Sequence, residues 1–358
     1  MADRLAALRA SMDEAKLDAL IVTDPLNVGY LSGFAGDSGL LCVATSPAKG
    51  SGQYLVTDGR FAAQAPREAP DFELVVTANT YSDAAAEVLR GVRARRVGFE
   101  AQHVTFQCFR ELKKKIAPAK LAPTKDVVGK LRTVKDSHEI ELIRRAARIG
   151  DRVYKTIAGR LRPGLKERRV AADIERLLKL QGGQGPAFEA IAASGPNAAF
   201  PHAVPGDRRL ADRDLVKLDL GVKHGGYCSD LTRTVCLGKP TRKQQRIHNA
   251  VRSAQMKAIE GVRPGVKAKK LDRIARRHLE DKGLGKFFVH SLGHGVGRAV
   301  HEAPRISKRS DDVLEPGMVF TVEPGVYIEG WGGVRLEDMV LVTEDGCEVL
   351  TTAAKPRL

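Results

Sequence analysis

Long apolar runs are missing from this chain. No stretch approaches the length of a membrane-spanning helix, and the opening Met-Ala-Asp-Arg-Leu-Ala-Ala-Leu-Arg is already charged, without the apolar core of a secretion signal. Cysteine is sparse too: Cys42, Cys108, Cys228, Cys236 and Cys347 are scattered and never form a Cys-x-x-Cys pair. That argues against a disulfide framework and a zinc ribbon, and it fits a reducing, cytoplasmic setting. Acids are in deficit, 43 against 59 Lys and Arg, for a formal net charge of +16. Such a balance raises nucleic acid or an anionic membrane as partners. The bases, however, are dispersed along helices with acids between them, as at Arg144-Arg145, Arg168-Arg169 and Arg276-Arg277. The one dense run, Lys113-Lys114-Lys115, lacks interleaved aromatics on which bases could stack. The charge is read as solvated helix faces, and neither a nucleic-acid nor a membrane partner is expected.

What is present suits two folded domains. At 358 residues and 43% apolar content the chain can bury two cores. Residues 1–130 alternate strand and helix signals: a helix from Arg4 to Ala15, a buried strand Ala19-Leu20-Ile21-Val22, then strands near Leu40–Val43, Gln53–Thr57, Phe72–Val76 and Val97–Phe99. That pattern predicts an α/β domain. Asp24-Pro25 reads as a turn. The glycine-rich Gly33 to Gly39 loop lacks both nucleotide-loop signatures and is discounted as a phosphate cradle. Ala117 to Lys130, with Pro118 and Pro123, reads as a linker, and Asp136-x-x-Glu139 as a capping box opening a second domain, residues 131–358.

The second domain is organised around acids in apolar strands. Val216-Lys217-Leu218-Asp219-Leu220 leads through Gly225-Gly226 to Asp230 and a second β-like run, which predicts a hairpin with facing carboxylates. Met318 to Gly325, holding Glu323, turns through Gly330, Gly332 and Gly333 into Val334-Arg335-Leu336-Glu337 and repeats the device. Buried acids are costly unless neutralised. Four carboxylates without matching counter-charge call for divalent cations, and two ions close together would neutralise all four.

The repeat extends further. Arg162-Pro163-Gly164, a helix from Glu167 to Leu180 and Gly182-Gly183 are echoed by Arg263-Pro264-Gly265, a helix from Lys269 to Asp281 and Gly283. Each copy continues through a Phe-bearing strand and a His-bearing loop into an acid hairpin. An α+β domain with a pseudo-two-fold internal duplication is expected, its hairpins set against each other. His290, His294 and His301 fall together in a glycine-broken segment beside the acids, whereas His103, His138, His224, His248 and His278 have no such setting.

Asp219, Asp230, His294 in His-x-x-x-His-Gly-x-Gly, Glu323 in Thr-Val-Glu-Pro-Gly and Glu337 in Val-Arg-Leu-Glu-Asp resemble the ligand pattern of the pita-bread metallopeptidases. Asn27 to Phe34 and Tyr54 to Phe61 resemble the creatinase/prolidase-type N-terminal domain, which points to the Xaa-Pro aminopeptidase (aminopeptidase P) and prolidase branch. The resemblance implies two divalent metal ions, with Asp219 on one, His294 and Glu323 on the other, and Asp230 and Glu337 bridging. Manganese is the expected ion, since carboxylate-rich ligation suits a hard cation, with cobalt, iron or zinc as substitutes. It further implies that Glu323 relays a proton, that His202 and His301 bind substrate and stabilise the oxyanion, and that His290, Tyr327 and Arg335 contact substrate. The implied reaction is removal of the residue preceding proline from peptides with proline second, by a homodimer; the alternative is an Xaa-Pro dipeptidase. Creatinase shares this fold without metals, and some relatives only bind; the complete ligand set counts against both.

Overall fold

Ala19–Val22 has no polar alternation, and all four of its residues are buried. A strand of that kind must be covered on both faces. In the computed structural model, which describes residues 2–46, 51–356 and 358, it lies inside a six-stranded sheet. The order is Glu73–Thr77, Gln53–Asp58, Leu40–Ala44, Ala19–Val22, Arg96–Glu100, Lys120–Thr124. Leu20, Val22, Leu41 and Val43 meet Leu5, Leu8 and Met12 of the helix Ala2–Glu14 on one face. Ala19, Ile21 and Cys42 meet Ala85 and Leu89 of the helix Tyr81–Gly91 on the other.

Two local readings change here. Asp24-Pro25 is no turn but a helix start: the Asp24 side chain accepts from the Leu26 amide, and Pro25 opens the helix Pro25–Ser32. The supposed linker is folded, with Lys120–Thr124 as an edge strand of the sheet and Val127–Thr133 as a helix. Pro123 is tolerated because that strand has a neighbour on one side only. The chain divides into the units Met1–Arg132 and Thr133–Leu358.

The second unit is built twice. Asp136 and Glu139 form the expected capping box on the helix Ser137–Ala158, a motif of which the cap is worth about 1 kcal/mol. That helix and Glu167–Leu180 bury Val153, Ile174 and Leu178 against the sheet Leu231–Cys236, Leu215–Leu220, Ile191–Ser194. The helices Arg242–Glu260 and Ala268–Asp281 bury Val251, Leu271 and Leu279 against Phe320, Val322 and Val340 of a five-stranded sheet. One correction applies to the repeat: neither phenylalanine lies in a strand, since Phe188 sits in a bend between Gly185–Pro186 and Ile191–Ser194 and Phe287 ends the 3-10 turn Gly285–Phe287.

Both acid hairpins are broken between ladder and tip. Leu215–Leu220 pairs with Leu231–Cys236, while the tip strands Val222–His224 and Tyr227–Cys228 join another sheet with Gly185–Pro186. Val319–Val322 pairs with Asp338–Val342, while Gly325–Ile328 and Gly332–Arg335 form a separate ribbon. Asp230, Glu323 and Glu337 lie at these breaks, and Asp219 stands two residues before its own, at Gly221. A break in the ladder re-aims side chains, as bulges do beside active sites. This is how carboxylates from apolar strands come to share one point.

Candidate metal centre

Asp219, on Leu215–Leu220, is buried, and its Oδ2 accepts from the Arg335 guanidinium. Its Oδ1 is buried with no hydrogen-bond partner among the described residues. Asp230 and Glu337 are buried beside it, and Glu337 Oε2 accepts from the Thr232 hydroxyl at 2.6 Å. His294 Nδ1 lies 3.2 Å from the Gly295 carbonyl, and Nε2 faces the acids, 3.3 Å from Glu323 Oε1 and 3.7 Å from Asp230 Oδ2. The glycines flanking His294 permit this approach. A methyl group at Gly293 would stand 1.9 Å from the Thr321 carbonyl oxygen, and one at Gly295 2.0 Å from that of Ala303.

Burial, then repulsion from Glu337 and Asp219, holds Asp230 well above the usual carboxylate range. Burial, then Glu323 and Asp219, does the same to Glu337. Burial opposes ionisation of Glu323 as well, but its bond to His294 and the nearby His290 and Arg335 bring it down to about 2. One guanidinium thus serves four carboxylates. An unpaired buried oxygen, an imidazole nitrogen aimed at acids and a set of hard oxygen donors fit a divalent cation. Asp230, His294 and Glu337 offer ligand atoms that all lie within 4.8 Å of one another. Asp219 is drawn to Arg335 and Glu323 to His294, so the tightest group is three of the five expected ligands.

The acids form the floor of a cavity of about 710 Å³. Residues 141–344 match the description of metallopeptidase family M24. The chain belongs to that family. Residues 4–134 of this M24 peptidase match the creatinase/prolidase N-terminal domain, so the two-domain architecture, creatinase-like then pita-bread, is that of the family. The M24 chain is 38% identical to an Xaa-Pro dipeptidase of Pyrococcus furiosus, with 100% of each covered. It superposes on an Xaa-Pro dipeptidase from Bacillus anthracis with a TM-score of 0.95 at 36% identity, covering 99% of this chain and 98% of that one. An X-Pro aminopeptidase structure from Thermotoga maritima gives a TM-score of 0.90 at 34% identity, covering 97% and 99%.

Of the residues singled out by sequence, His202, His290, His301 and Arg335 line the same cavity as the five expected ligands. His301 stands edge-on to His294, ring centroids 4.1 Å apart. Tyr327 is not among the lining residues. Its hydroxyl lies behind them, 2.9 Å from both His290 Nε2 and Arg335 Nη1, and supports those two side chains. Burial pushes the Tyr327 hydroxyl up to about 12, which keeps it protonated. Sequence reasoning passes over Thr232, whose hydroxyl accepts from Arg335 Nε at 3.0 Å while donating to Glu337. It also passes over Lys217, whose buried Nζ donates to the Phe200 and Pro201 carbonyls at 2.5 and 3.0 Å. A lysine alternating with Asp219 in an apolar strand is the signal that could have found it.

Proposed function

We propose that this M24 peptidase is a manganese-dependent Xaa-Pro aminopeptidase, acting as a homodimer on peptides with proline in second position. The observation that carries the reading is the convergence of Asp219, Asp230, His294, Glu323 and Glu337 beneath one open cavity, with a buried Asp219 oxygen left unpartnered. Divalent cations at these ligands supply charge stabilisation and acidify water near neutral pH. The chain's own groups do the rest. Glu323 takes a proton from the attacking water and passes it to the proline nitrogen as the peptide bond breaks. His202 and His301, exposed on the cavity wall, donate to the carbonyl oxygen as it gains charge, a contribution of about 3 kcal/mol for a good donor. Phe188, Ile191 and Val204 give that wall apolar surface against which a proline ring packs.

A dipeptidase is the second reading, favoured by the Pyrococcus furiosus and Bacillus anthracis relatives, which carry that name. The two separate in one experiment. With manganese present, an aminopeptidase hydrolyses Xaa-Pro-Xaa tripeptides; hydrolysis of Xaa-Pro dipeptides alone rejects that reading in favour of the dipeptidase.

A further inference from the structure

The cavity over the acids runs into a second one of about 1050 Å³, and His202, His290, Ser291 and Arg305 line both. Several charges in the second cavity are already committed. Arg276 is paired with Asp272 at 2.9 Å and donates to the carbonyls of Phe288 and His290. Asp311 is paired with Lys269 from outside the cavity. Asp312 accepts from the Arg305 amide and the Ser310 hydroxyl. That leaves Lys286, Arg305, Lys308 and Arg309, exposed and with no carboxylate partner among the described residues. Four uncommitted cations against the single acid Asp312 make this groove electropositive, and it is continuous with the place where substrate would lie.

We propose that this groove is an anion-selective extension of the substrate site, taking up carboxylates of peptide residues downstream of the proline, so that acidic-tailed peptides are preferred. The proposal rests on the aminopeptidase reading above. A peptide entering between His202 and His290 has its continuing chain led past Arg305 toward Lys308 and Arg309. Exposed cations of this kind act on capture and orientation rather than on chemistry, and their effect fades with salt.

The test is a series of Ala-Pro-Ala-Xaa amides with Xaa as Glu, Gln or Lys, alongside the dipeptide Ala-Pro, all with manganese. At low ionic strength kcat/KM is expected to fall in the order Glu, Gln, Lys, by about tenfold from end to end, and the spread should narrow in high salt. In the double variant Lys308→Glu/Arg309→Glu the order should invert. Each ratio is read within one protein, so a general loss of activity does not mimic it. Equal rates for the three amides, or an order unchanged in the variant, overturn the groove. Hydrolysis of Ala-Pro without any amide overturns the aminopeptidase reading and the groove with it, whereas equal rates for cleaved amides overturn the groove alone. No hydrolysis of either removes the peptidase reading and the groove with it. A flat series joined to single-stranded DNA binding that the double variant loses overturns it in favour of a polyanion surface.

Discussion

Lys217 stands two residues before Asp219, and Arg335 two residues before Glu337, so each repeat buries a cation close to an acid. The two are used differently. Arg335 reaches across to the other repeat and pairs with Asp219, while also donating to Tyr327 and to the Pro201 carbonyl. Lys217 has no acid partner among the described residues; burial, with Arg335 nearby, pushes its amine down to about 6. A guanidinium keeps its charge where an amine gives it up. The arginine therefore serves as a permanent counter-ion and the lysine as a near-neutral donor. Both end on the Pro201 carbonyl, the residue before His202. The first repeat thus supplies the loop and one tether, and the second supplies the other.

The largest test of this asymmetry removes an acid from the second repeat. Glu337→Ala is expected to abolish manganese-dependent hydrolysis while circular dichroism stays native; retained turnover would reject its place at the metals. Next comes the bond between repeats. Arg233, from the first hairpin, is fully buried against Asp338 of the second at 2.7 Å and also holds the Ala353 carbonyl. Arg233→Met should cost about 3 kcal/mol in urea unfolding, since breaking one side of a buried pair strands the other. The value sits at the low end because Lys355 still reaches Asp338.

The repeats also differ in their long helices. Beyond its cap the first buries no ionisable base, whereas the second buries His248. Burial, helped by Arg252, lowers that imidazole from 6.5 to about 4. The unfolded chain binds the proton first, so stability present above pH 6.5 is lost as pH falls toward 4, by about 3 kcal/mol. His248→Gln should flatten that limb of the pH–stability curve; an unchanged slope contradicts the assignment. The smallest effect is expected at Lys217. Lys217→Met should lower kcat about tenfold with KM little changed, the cost of a loosened catalytic group. In a His202→Ala background the same change should cost almost nothing further, and full additivity would show that Lys217 acts elsewhere.

Much of this is legible in the sequence, for identifiable reasons. Asp219, Asp230, Glu323 and Glu337 declare themselves because acids in apolar strands carry an energetic penalty that needs an explanation. Helix ends such as Asp136 to Glu139 declare themselves because the capping chemistry is local. What escapes is non-local. That Arg335 pairs with Asp219 rather than with the neighbouring Glu337 depends on how the repeats face each other, which no spacing encodes. Tyr327 stands behind its partners rather than at the cavity wall for the same reason. Two misreadings were avoidable: Asp24-Pro25 is a helix-opening pair, and Pro123 is compatible with an edge strand.

The doubly held Pro201 carbonyl has a mechanical corollary. One oxygen, with two lone pairs, is fastened to a strand of each repeat, so it works as a strain gauge across the seam between them. Slippage of the halves by an ångström releases one fastening before either core opens, and His202 swings with it. On warming, turnover should therefore fade at a lower temperature than the one at which the protein melts.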